Sequence, residues 1–176
     1  KSVDNEKLGA KFYNFLKAEN NNGVTLFDSN FLEAAGKNKN FLEEFLHGAE
    51  LKSYNFNRYK SDKKNFNVNL TIFHSKKIIN KNKRFNSLIQ GIKLTKDLVS
   101  EPGNILHPDE YTKRILQLKK YGLKVTVYDK SKLKKLGMNA LLGVGQGSIR
   151  GSYLVTIEWN GANSKSKPLA FVGKGV

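Results

Sequence analysis

The chain has no cysteine, which excludes a disulfide framework and any thiolate metal site. It has only three histidines, His47, His74 and His107, and none stands at a metal-ligand spacing such as H-x-x-x-H. No apolar run reaches the ~18 residues that read as a membrane span, and no signal peptide is visible. Arginine is scarce, with four against 27 lysines. Specific readers of DNA favour Arg, whose fork grips guanine bidentately. Acidic residues are few too, 15 against 31 basic ones, for a net charge of +16. The lack of cysteine fits a reducing cytoplasm, so a cytoplasmic protein with no membrane partner is the expectation.

What is present is unevenly spread. Residues 1–59 balance eight basic against eight acidic groups, residues 60–96 carry ten basic groups against Asp62 alone, and residues 97–176 carry thirteen against six. The basic 60–96 region is a candidate nucleic-acid surface. The rival reading is compositional drift toward Lys and Asn, which speaks to solubility before function.

The apolar pattern alternates helices with strands. Residues 4–19 read as an amphipathic helix, with Leu8, Phe12, Phe15 and Leu16 on one face. Residues 23–27 read as a strand, and Asn40 is placed to cap a helix carrying Phe41, Leu42, Phe45 and Leu46. Val68, Leu70 and Ile72 alternate as a half-buried strand. A long helix over about 82–100 puts Phe85, Leu88, Ile89, Ile92 and Val99 on one face and ends at Glu101-Pro102-Gly103. Pro108 marks the start of another helix, with Asp109 and Glu110 as first-turn partners of its dipole. Residues 123–127, 152–159 and 168–172 read as strands and 131–137 as a short helix, with a polar loop over 160–167. Such alternation predicts an α/β fold with a largely parallel sheet.

Three motifs invite functional readings. Gly173-Lys174 resembles the end of a P-loop, but Pro168 stands where the first Gly belongs and Gly175 where Ser or Thr belongs. Gly143-Val144-Gly145-Gln146-Gly147-Ser148 matches a dinucleotide fingerprint only loosely and reads as a tight, backbone-exposed loop. Ser148 lacks the G-x-S-x-G context of a hydrolase nucleophile. Lys174 remains. An apolar run, Leu169 to Val172, delivers it between two glycines, and open α/β sheets bind ligands at the carboxyl ends of their strands.

Four segments in order carry a resemblance. They are Gly48 to Phe56 followed by Tyr59-Lys60; Asp97-Leu98-Val99-Ser100-Glu101-Pro102-Gly103-Asn104 followed by Pro108; Leu136 to Ser148; and Phe171-Val172-Gly173-Lys174-Gly175-Val176. Together they resemble the leucine (cytosol) aminopeptidase family, the two-metal exopeptidases. Ser100, His107 and Ser152 depart from that family's usual Asn, Thr and Pro.

The resemblance implies an α/β protein divided into the C-terminal part of a small N-terminal α/β domain (1–75), a basic linker with a connecting helix (76–100), and the start of a catalytic domain with a mixed, mostly parallel sheet (101–176). It implies peptide substrates, a homo-hexamer, and two divalent cations, Zn or Mn. Lys174 would ligate one cation, and no catalytic residue proper would lie within these 176 residues. A lysine amine ligates only when neutral, and holding one neutral at pH 7 from about 10.4 costs roughly 4–5 kcal/mol. Cations and neighbouring charge must offset that. Lys1 in place of Met, and a motif that breaks off at Val176, give the expectation of an internal piece, inactive and poorly soluble alone. A non-catalytic member of the family is a further alternative.

Overall fold

A computed structural model describes residues 2–27, 40–63, 65–73, 83–161 and 167–175. His74, most of the 76–84 tract, loop residues 162–166 and Val176 lie outside the described residues. The chain divides into two compact units, Lys1–Ser100 and Glu101–Val176.

The first unit holds α1 (Ser2–Ala18), β1 (Gly23–Phe27), α2 (Phe41–Ser53), β2 (Asn69–Phe73) and α3 (Lys83–Ser100). β1 and β2 pair in parallel, Gly23 opposite Asn69 through Phe27 opposite Phe73. A parallel pair needs a crossover between its strands, and the connection here carries α2. Val24, Leu26, Leu70 and Ile72 share the more buried face, while Phe27 and Phe73 stack on the other, ring centroids 5.4 Å apart.

α1 and α2 approach closely because each puts a glycine at the crossing. A Cβ on Gly9 would strike the Phe45 carbonyl oxygen, and one on Gly48 would strike the Glu6 carbonyl oxygen. The face that packs is therefore Gly9, Tyr13 and Leu16, with Phe12 against Phe45 at 5.2 Å. This corrects the expected face, since Leu8 and Phe15 are exposed. Asn5 Nδ2 donates to Glu44 Oε2 at 2.6 Å, and Glu6 Oε1 lies 3.0 Å from His47 Nδ1 along the same seam. Asn40 flanks α2 as expected but makes no side-chain capping hydrogen bond.

α3 meets α2 largely through polar groups. Ile89 is buried, but Leu88 and Val99 of its expected apolar face are exposed. Lys93 Nζ donates to Glu50 Oε1 at 2.8 Å, and Lys96 Nζ to the Leu51 carbonyl at 2.9 Å, where the last turn of α2 has unpaired acceptors. Lys96 also lies over the Tyr54 ring, whose hydroxyl donates to Asp97 Oδ1 at 2.8 Å.

The second unit holds α4 (Pro108–Leu116), a 3-10 turn (Gln117–Tyr121), β3 (Lys124–Tyr128), α5 (Lys130–Lys135), α6 (Asn139–Gly145) and β4 (Leu154–Glu158). Gly122 at φ 84° closes the 3-10 turn in the left-handed region that glycine occupies without penalty. Asp129 Oδ1 accepts from the Lys132 N–H at 2.9 Å and starts α5, which buries Leu133 completely. β3 and β4 are antiparallel, with Val125 opposite Ile157 and Tyr128 opposite Leu154. The expectation of parallel pairing fails here for a topological reason. The two short helices between the strands return the chain to the end of β3 that it had just left.

Two local expectations change as well. Residues 139–145 are helical, so Gly143-Val144-Gly145 is not a loop; only the turn after Gly145 is. A Cβ on Gly145 would meet Ser152 Oγ, so that glycine admits the start of the β4 segment. Residues 168–172 form no strand, and Phe171 and Val172 are 89% and 99% exposed. A segment becomes a strand only with a ladder partner, and among the described residues this one has none.

Candidate functional site

Lys174 stands in segment 167–175, which belongs to no helix or strand, exposed, with Nζ donating to the Gly175 carbonyl at 3.2 Å. Nothing lies within 4 Å of where a Gly173 side chain would begin, whereas a Cβ on Gly175 would come 3.2 Å from the Tyr111 ring. Gly175 thus passes against α4, the element that frames this part of the unit.

The start of α4 is built from His107, Pro108, Asp109 and Glu110. His107 Nδ1 lies 3.5 Å from the Glu110 backbone N–H as its acceptor, and 3.3 Å from Asp109 Oδ2. One ring nitrogen cannot accept from the first and donate to the second at once, so in any one tautomer of the ring only one of the two contacts is a hydrogen bond. The helix-start role read for His107 holds.

Asp109 does far more than balance a dipole. Its Oδ1 accepts from the Tyr153 hydroxyl at 2.7 Å and the Gly151 N–H at 3.2 Å, and its Oδ2 is 4.0 Å from Arg150. The Tyr153 hydrogen bond, then the Gly151 N–H, hold the Asp109 carboxyl below its ordinary 3.8, against the opposing effect of burial. The same bond raises the Tyr153 hydroxyl above its ordinary value. One turn on, Arg114 donates to Glu110 Oε1 and Glu101 Oε1, each at 2.9 Å, and the Glu101 side chain is 0% exposed. Hydrogen bonding to Arg114 is the main cause that lowers Glu110 below its usual 4.5. Asp109 and Glu101 act on partners far along the chain, or buried, and no local pattern announces either role.

Lys174 is not brought to a cluster of ligands. Among the described residues no group of three or more His, Asp or Glu could hold a metal ion. His47 is buried against Glu6, with its Nε2 lacking a hydrogen-bond partner among the described residues and its ring 4.8 Å from Phe85. A cavity of about 880 Å³ lies in the first unit beside Tyr13, Lys52, Tyr54, Lys93 and Asp97. Tyr54 donates to Asp97, Lys93 to Glu50 and Tyr13 to the Phe66 carbonyl, so these groups are already engaged. In the basic stretch 60–96, Lys93 and Lys96 face α2 and are engaged there. Among the described residues no helix is long and apolar enough to cross a membrane.

Comparison with known proteins bears on the C-terminal part first. Residues 93–176 match the model of the cytosol aminopeptidase family, catalytic domain. A probable cytosol aminopeptidase of Phytoplasma mali is 48% identical over 141 residues, covering 75% of this chain and 28% of that protein. One of Nitrobacter winogradskyi is 36% identical over 183 residues, covering 100% of this chain and 36% of that protein. The chain therefore spans about a third of the length of the curated relatives it matches. Among solved structures, a tomato leucine aminopeptidase mutant superposes with a TM-score of 0.72 at 22% identity, covering 88% of this chain and 32% of that one. The bottromycin maturation enzyme BotP in complex with Mn gives 0.65 at 20%, covering 89% and 33%. At such identities these two share the fold alone. With the family match over 93–176 and relatives aligned along the whole chain, the chain belongs to the cytosol aminopeptidase family.

Proposed function

We propose that this chain is the part of a leucyl-type aminopeptidase that carries the end of an N-terminal α/β domain (1–75), a basic linker and helix (76–100) and the start of the catalytic domain (101–176). The whole enzyme releases N-terminal residues from peptides with two divalent cations, Zn or Mn, works in the cytoplasm and assembles as a homo-hexamer. The observation that carries this reading is the catalytic-domain match, which runs through Gly173-Lys174-Gly175. That a protein of the same fold was solved with Mn supports a cation of that class.

Lys174 fits the part of one ligand. Its amine is exposed, and Gly173 and Gly175 keep side-chain bulk away from it. It is not a site by itself, because no carboxylate or imidazole joins it among the described residues. Residues 1–176 alone are accordingly expected to turn over no peptide and to take up no stoichiometric Mn or Zn in titration calorimetry. In the full-length protein, hydrolysis of leucine p-nitroanilide should vanish on chelation and return with Mn or Zn. Lys174→Ala should lower the metal content per chain measured by mass spectrometry as well as activity, and Lys174→Arg, which cannot lose its proton, should fail to restore either. Unchanged metal content in both variants would remove Lys174 from the site.

A further inference from the structure

The chain contains two Asn-Gly steps, Asn22-Gly23 and Asn160-Gly161. Glycine after asparagine leaves the following backbone nitrogen unshielded by any Cβ and free to reach unusual dihedrals. That nitrogen can then attack the asparagine side-chain carbonyl. The fold treats the two steps differently. At the first, the Asn22 carbonyl accepts from the Asn69 N–H at 2.7 Å, and the Gly23 N–H donates to Asn21 Oδ1 at 3.2 Å. Gly23 also opens β1, in register with Asn69. The attacking nitrogen is engaged, and the backbone on both sides of it is held in the ladder.

At the second step both residues are exposed and belong to no helix or strand. Among the described residues no hydrogen bond engages the Gly161 N–H. A Cβ on Gly161 would fall on the Trp159 ring, so the indole lies against this step, and Trp159 is the single tryptophan of the chain.

We infer that Asn160 is a site of spontaneous deamidation and that Asn22 is protected from it by β1. The Gly161 nitrogen forms a bond to Cγ of Asn160, the Cγ–Nδ2 bond breaks, and ammonia leaves with the proton from that nitrogen. Water then opens the cyclic imide at either carbonyl, giving aspartate or isoaspartate. Water is the only co-reactant, and nothing is oxidised or reduced. The product places a carboxylate beside Trp159, and the isoaspartate form adds a methylene to the backbone that leads from β4 toward Lys174.

The test is incubation of the folded protein at mildly alkaline pH, followed by peptide mapping with fragmentation that locates the change. Conversion at Asn160 is expected to run several-fold faster than at Asn22. In strong urea, with the ladder gone, the two rates should converge. Asn160→Gln should remove the faster component, and Asn160→Asp should shift the emission of Trp159. Equal rates at the two steps in the folded protein, or faster conversion at Asn22, would overturn the inference. So would an Asn160 that converts much more slowly than a short peptide of the same local sequence. Unchanged Trp159 emission in Asn160→Asp would overturn the placement of the indole against this step.

Discussion

Asp109 holds together three stretches that the sequence keeps apart: the cap residue beside it, the turn at Arg150-Gly151, and Tyr153 at the entry to β4. Removing one hydroxyl tests this. Tyr153→Phe should destabilise the second unit by about 1 kcal/mol at neutral pH, the usual net worth of one such bond, read from urea unfolding. The pH dependence follows in sign. A carboxylate whose folded value is depressed contributes fully above its ordinary 3.8, and the contribution is lost as the pH falls through the lower folded value. Tyr153→Phe should flatten that acid limb, because the bond it deletes is the main cause of the depression. The Glu101–Arg114 pair is the harsher case. Arg114→Met strips the guanidinium from a carboxylate that is 0% exposed, and breaking such a pair costs about 3 kcal/mol or more. Neither arrangement was legible in the sequence. The first-turn acids of α4 carry a local signal for a helix start, but their partners Tyr153 and Gly151 stand 44 and 42 residues away.

Elements were more legible than residues. β1 falls on the residues expected of it, and the long helix stops at the Glu101-Pro102-Gly103 break because proline and glycine act on the backbone locally. Face assignments erred where packing depends on what is missing. Leu8 and Phe15 looked like core, yet the helix turns Gly9 inward, since only a residue without Cβ admits the carbonyl of Phe45. A glycine inside a helical pattern costs ~1 kcal/mol against alanine, and that unexplained cost was the available signal. Gly48→Ala should therefore destabilise the first unit by about 2 kcal/mol, as overpacking does, despite alanine's better helix propensity. A chemical denaturation midpoint that rises instead would show that α1 and α2 can separate freely. α5 is too short to stand by propensity, so it depends on one plug. Leu133→Ala should cost about 3 kcal/mol and erase the helix from amide-exchange protection. Residues 168–172 have strand composition but lack a ladder, and pairing is a property of neighbours that no single segment encodes.

At the scale of the whole molecule, the net charge of +16 makes some association with polyanions the default. The structure narrows what that association can use, because Lys93 and Lys96 of the basic stretch are already engaged with α2. If the 60–96 region is a nucleic-acid surface, affinity for duplex DNA should fall with salt at about one unit of log–log slope per phosphate contact. Neutralising Lys93 or Lys96 should leave that slope unchanged. A nearly salt-independent affinity would end this reading. The exposed segment 167–175 has a different consequence. A protease needs a backbone free of helix and ladder bonds and reads the side chain before the cut, and Phe171 is exposed in a segment that belongs to no helix or strand. Chymotrypsin should nick residues 1–176 after Phe171 long before it reaches β3 or β4. In the longer protein proposed above, pairing of this segment into a sheet would shield the same bond, and digestion there should spare it. Resistance at one peptide bond would then report how completely the surrounding sheet has been assembled.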